Sequence, residues 1–154
     1  MQLLWRFADF ARDVRRRMRF GDLSRAQLRL LRLQWRSNLV ECDWVVRPAD
    51  PWDTDLPRHV SQENESVQAL QDAIAIRELL FSELPEAQSA QLRAFRKSAA
   101  GELELIITGA VTRKGQLPGN VASAAMRAKL LGFQFWLEDG ILETLESQEC
   151  QMSF

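Results

Sequence analysis

The residues of this sequence able to do chemistry fall in a few places. The one histidine, His59, lies in a stretch that also holds Asp50, Asp53 and Asp55. Carboxylates beside an imidazole can hold a hydrated divalent cation, or act as acid and base. The same stretch contains Pro48, Pro51 and Pro57, and acids are common in such turns because their side chains bond the local backbone. No Cys/His cluster accompanies His59, so no metal ligand and no cofactor is assigned. A Cys-His or Ser-His-Asp mechanism has only His59 to use, and nothing marks a nucleophile. No catalytic residue is named, and an enzyme is the less favoured expectation.

Two further places carry cations. Arg113 and Lys114 open a loop through Gly115, Pro118 and Gly119 to Asn120, which joins an expected strand to a helix N-terminus. Free backbone N–H groups and two cations there could hold a phosphate or carboxylate. The spacing is not that of a P-loop or a dinucleotide fingerprint, and a glycine-containing connector capped by Asn120 explains it as well. Arg77 falls among Ala73, Ile74, Phe81 and Leu84 on the apolar side of an expected helix. A guanidinium there needs an acid, a carbonyl or a ligand anion. Arg77, Arg113, Lys114 and Asn120 are therefore the candidate anion or ligand contacts. Three tryptophans are unneeded by the expected core: Trp5 on the polar side of the first helix, Trp52 in the Pro/Asp loop, and Trp136 opposite Phe133 and Phe135. They are the candidate partner contacts, since tryptophan and arginine anchor interfaces.

The elements that must position these residues follow from periodicity. Leu3, Leu4, Phe7, Phe10, Ala11, Val14 and Met18 form a helical stripe that Gly21 terminates. Alternation over 31–35 and 40–46 predicts a hairpin turning at Ser37-Asn38. It pairs Trp35 with Val40, Leu33 with Cys42, Leu31 with Trp44 and Arg32 with Asp43, and the Leu30-Leu31 doublet predicts a bulge. Residues 48–61 read as loop, and a long helix is expected over about 64–84. A second hairpin, 91–97 with 102–112, puts Lys97 opposite Glu102. It places Leu92 and Ala94 on the face of Leu103, Leu105 and Ile107, leaving Ile106 on the other. A short helix is expected over 121–131, ended by Gly132. Asp139-Gly140 then marks a type I′ turn in a last hairpin.

The expectation is an α+β domain in the order α-ββ-α-ββ-α-ββ. It has an antiparallel sheet of about six strands made of three hairpins, with helices packed on one face. It spans 1–147, with a loose tail over 148–154.

Composition narrows the function classes. With 46% hydrophobic and 27% charged residues the chain reads as globular. No run approaches the ~18 apolar residues of a membrane span, and the first twenty residues lack a secretory h-region. Two cysteines, Cys42 and Cys150, give no disulfide framework, so a reducing, cytoplasmic compartment is expected. Residues 1–47 hold eleven arginines against five acids, and the remainder nine Lys/Arg against sixteen acids. That asymmetry is read as balanced within the fold. The leading expectation is an interaction or self-assembly module, a homo-oligomer or a binder of another protein. A domain binding a small molecule or anion between sheet and helices is the alternative. A membrane or nucleic-acid surface bound through the arginine-rich first helix is third, disfavoured because basic residues do not alternate with stacking aromatics.

Overall fold

The computed structural model describes residues 28–47, 55–114 and 123–145, together with Arg12. The first expected helix with Trp5, the stretch holding Trp52, the connector to Asn120 and the tail over 148–154 all lie outside the described residues. Within them run β1 (Arg29–Arg36), β2 (Leu39–Val45), α1 (Arg58–Glu83), β3 (Ser89–Lys97), β4 (Leu103–Thr112), α2 (Ala124–Leu130), β5 (Phe133–Glu138) and β6 (Ile141–Glu143).

The six strands form one sheet in the order of the sequence, β1-β2-β3-β4-β5-β6. The fold is α+β, but the wholly antiparallel sheet is not what forms. β2 and β3 are parallel, from Leu39 opposite Ser89 to Val45 opposite Phe95, while the other pairs are antiparallel. The cause is α1. Its 26 residues carry the chain back along the length of the sheet, as a parallel pair requires. Val46 extends the parallel ladder, donating its N–H to the Phe95 carbonyl at 2.8 Å.

α1 begins six residues before the expected start. Residues 58–63 are mostly polar and give no apolar stripe, whereas Pro57 before them has φ −53°, already suited to entering a helix. The face turned to the sheet buries Leu70, Ala73, Ile76 and Leu80. They meet Val40, Cys42 and Trp44 of β2, Ala90, Leu92 and Ala94 of β3, and Phe133 and Phe135 of β5 in one core. α2 starts at Ala124 rather than 121. Its N-cap is Ser123, whose hydroxyl accepts the Met126 N–H at 3.4 Å.

Two bulges decide which side chains face the core. In β1 the register shifts between Leu30 and Arg32, so Leu30 rather than Leu31 lies opposite Trp44. The pairs Arg32–Asp43, Leu33–Cys42, Gln34–Glu41 and Trp35–Val40 form as the alternation predicts. In β4 the pairing passes from Ala94–Ile107 to Phe95–Leu105, leaving Ile106 as the extra residue. Ile106 is thereby buried on the helix side, 1% exposed, and not on the outer face. Leu105 and Leu103 shift to the face of Phe95, and Lys97 meets Leu103 instead of Glu102. Asp139 and Gly140 have φ of 53° and 81°, the two positive angles of a type I′ turn.

Among the described residues no helix is long and apolar enough to cross a membrane. Cys42 is fully buried in the core, and burial, with the adjacent Asp43 charge, pushes its thiol pKa strongly upward. The thiolate is the reactive form. In a Cys150→Ser chain at pH 8, iodoacetamide should leave Cys42 unmodified until denaturant is added, as read by mass spectrometry. Rapid labelling of the native chain would contradict this packing.

Candidate anion-binding cleft

Because β2 and β3 run the same way, their C-terminal ends reach the same edge of the sheet as the N-terminus of α1. The antiparallel neighbours bring the starts of β1, β4 and β6 to that edge as well. There a cleft of about 760 Å³ opens between α1 and the strand ends, within the ~300–1,000 Å³ usual for small-molecule sites. It lies outside the carboxyl ends of the parallel pair, where open α/β sheets place their ligands.

Five cations from four separated segments line it: Arg29, Arg47, Arg58, and the adjacent Arg96 and Lys97. Two of them are committed to structure. Arg47 donates from Nε and Nη2 to the two oxygens of Asp72 at 2.7 and 2.6 Å, and Gln68 adds a third donor at 3.0 Å. Both partners are buried, with side chains 8% and 1% exposed. Burial pushes the Asp72 pKa up, while the Arg47 hydrogen bonds and charge and the Gln68 amide pull it back. Arg96 donates to the Leu142 carbonyl at 2.7 Å and to Glu104 at 3.2 Å. The Leu142 N–H donates to the Ser66 hydroxyl at 2.9 Å. One residue of β6 is thus held from both sides, by α1 and by β3, and the wall of the cleft is fixed.

Arg29, Arg58 and Lys97 form no ion pair with a described residue. Their charges are reinforced by the helix. α1 has no side-chain cap and no acid in its first turn, so the positive end of its dipole is uncompensated by its own residues. Glu65, Glu104 and Glu143 also line the cleft, and Glu104 is already paired with Arg96. The remaining lining mixes the polar Gln62, Ser66 and Ser98 with aliphatic residues that include Val46, Ala69, Ile106 and Ile141.

The sequence-derived candidates fall elsewhere. Arg77 and Arg113 come together at the opposite end of α1, both against the Phe81 ring, 5.2 and 4.9 Å from its centroid. Arg77 is 3% exposed. It donates to the Thr112 carbonyl at 2.7 Å and also meets the Glu78 carboxylate. Arg113 donates to the carbonyls of Leu84 at 2.5 Å and Ala87 at 2.9 Å, closing the C-terminus of α1. Lys114 is exposed, and Asn120 lies outside the described residues. His59 is in the first turn of α1 rather than a loop, 2.5 Å from Glu63 one turn on. Among the described residues no three of His, Cys, Asp and Glu are grouped to hold a metal ion. Trp136 is 49% exposed and lines, with Met126, Leu130 and Leu137, an open groove of about 500 Å³ between α2 and β5. Trp5 and Trp52 are outside the described residues.

Sequence reasoning missed the cleft residues. Arg29 lay just before the expected first strand, Arg58 in the expected loop, and Arg96 and Lys97 at the outer end of the second hairpin. Only the parallel pairing brings them together. Arg47 carried a readable signal, a cation directly after a strand and before a long crossover, but its partner Asp72 is 25 residues away. No protein-family model, no curated protein and no solved structure matches the chain.

Replacing Arg77 by Met keeps the stem packed and removes the bonds to Thr112 and Glu78. Glu78 is exposed and returns to water, so the loss centres on the charge-assisted bond to the Thr112 carbonyl and the contact with the Phe81 ring. Arg77→Met should lower stability by roughly 1.5–3 kcal/mol, measured by urea denaturation. An unchanged midpoint would show the bond contributes nothing.

Proposed function

We propose that this protein is a small-molecule-binding domain that takes an organic anion in the cleft between α1 and the strand ends. The observation that carries the reading is the convergence of Arg29, Arg58 and Lys97 on the mouth of an already shaped cavity. Cations that pair with no described residue gain more from an incoming carboxylate or phosphate than paired ones do. The positive end of α1 acts in the same direction. The Arg47–Asp72 pair and the Arg96–Leu142–Ser66 contacts hold the walls in place before any ligand arrives, which limits the ordering cost of binding.

Thermal melting tests this with a carboxylate and its neutral counterpart, hexanoate against hexan-1-ol. A ligand at a hundred times its Kd stabilises by about 2.7 kcal/mol. Hexanoate should raise Tm more than hexan-1-ol, and charge reversal by Arg58→Glu with Lys97→Glu should remove the difference. Equal effects of acid and alcohol would count against an anion site.

A second reading, self-association, is favoured by the groove between α2 and β5. Met126, Leu130 and Trp136 are each about half exposed, at 57%, 56% and 49%, and stand side by side. Large apolar groups so gathered mark contact surfaces. A ridge and a groove in one patch suit a second copy of the chain across a two-fold axis. Light scattering should then give twice 17.7 kDa at micromolar concentration, and Trp136→Arg should give the monomer. A monomer mass for the unaltered chain across a hundredfold dilution would rule it out.

A further inference from the structure

Charge alone does not describe the cleft. Its lining is divided by chemistry and by depth. Arg29, Arg58 and Lys97 are exposed and belong to its mouth, whereas Ala69, Ile106 and Leu142 are buried, at 3%, 1% and 1% exposure. Val46 and Ile141, half-buried, lie between the two. A small hydrophilic anion would leave the accessible part of this aliphatic surface, at Val46 and Ile141, wet. An aromatic base or ring would find no aromatic partner, since none of the described lining residues carries an aromatic side chain.

The division comes from the backbone. Strict alternation would turn Ile106 to the outer face of the sheet, but the bulge opposite Ala94 and Phe95 turns it inward. The bulge therefore supplies a large apolar side chain at the base of a cation-rimmed cavity. The β5–β6 turn brings Ile141 to the same place, and the Ser66 and Arg96 bonds to Leu142 keep it there.

We infer that the ligand is an amphiphilic anion, an aliphatic chain ended by a carboxylate or phosphate. Its chain lies along Val46 and Ile141, above the buried Ile106, and its head group meets Arg58 and Lys97. The inference rests on the anion-site reading above and adds the apolar half of the ligand. The head is recognised by charge and N–H donors, which carboxylate and phosphate share. The chain is recognised by burial, which is non-directional and grows with each methylene.

The test is calorimetric titration of the full chain with acetate, hexanoate, octanoate and decanoate below their micellar concentrations, with decyl phosphate and decan-1-ol in parallel. Affinity should rise about fourfold per methylene, the factor expected for burying a CH₂. Decanoate and decyl phosphate should both exceed decan-1-ol by tenfold or more, and the stronger of the two identifies the head group. Arg58→Glu with Lys97→Glu, both exposed, should lower decanoate affinity at least tenfold with Tm unchanged. Ile141→Asp should flatten the chain-length dependence, and if it impairs folding the series on the unaltered chain still decides. Acids that bind better than alcohols, but with no dependence on chain length, would overturn this inference and leave the anion site standing. Equal binding of acid and alcohol, indifferent to charge reversal, would overturn both, as would no binding at all.

Discussion

The parallel register of β2 and β3 is the constraint on which the rest of the structure depends. An antiparallel pair can be closed by two residues, whereas a parallel pair must return the chain along the full length of its strands. Here α1 makes that return, and its 26 residues match the task. The consequences reach both edges of the sheet. At one, the ends of β2 and β3 and the start of α1 converge on a cleft. At the other, the end of α1 meets the start of β3 and the end of β4, and Arg77 and Arg113 secure the junction through main-chain carbonyls. Each terminus of the crossover helix thus faces a different chemical problem. The C-terminal one is solved within the chain by arginine, and the N-terminal one is left positive.

The buried polar groups follow the same logic. Asp72 and Ser66 lie on the face of α1 turned to the sheet, where an apolar residue would pack without penalty. Each is matched across the interface, Asp72 by Arg47 after β2 and Ser66 by the Leu142 backbone of β6. Such pairs contribute little net stability over an apolar core, but breaking one by moving its partner away leaves a buried polar group unpaired. They register the helix along the sheet, and they do so beside the cleft, where a displacement of either wall would change its shape.

Much of the local structure was legible. The β1–β2 register follows from alternation and from Arg32 opposite Asp43, and the Asp139-Gly140 turn from its dipeptide. What sequence could not supply was the relation between hairpins, because alternation is identical in strands that run parallel and antiparallel. The start of α1 was hidden because its first turns are polar and preceded by prolines. Ile106 was placed on the wrong face because a bulge alters the count by one residue without an unusual residue type. The cleft was illegible for all three reasons at once, being built from a strand end, a polar helix start and a bulge. Arg77 is the instructive contrast: its misfit on an apolar stripe is a local signal, and it correctly marked a buried guanidinium bonded to a carbonyl.

The edge strand β1 has a consequence of its own. Among the described residues it pairs only with β2, so alternate N–H and carbonyl groups of its eight residues have no described strand beside them on the other margin. Such margins recruit strands from other molecules and seed fibrous aggregates unless they are spoiled. β1 is spoiled twice, by the bulge at Leu30–Arg32 and by arginines at 29, 32 and 36, which repel a like strand laid alongside. Open-ended extension of the sheet along this margin is thereby disfavoured.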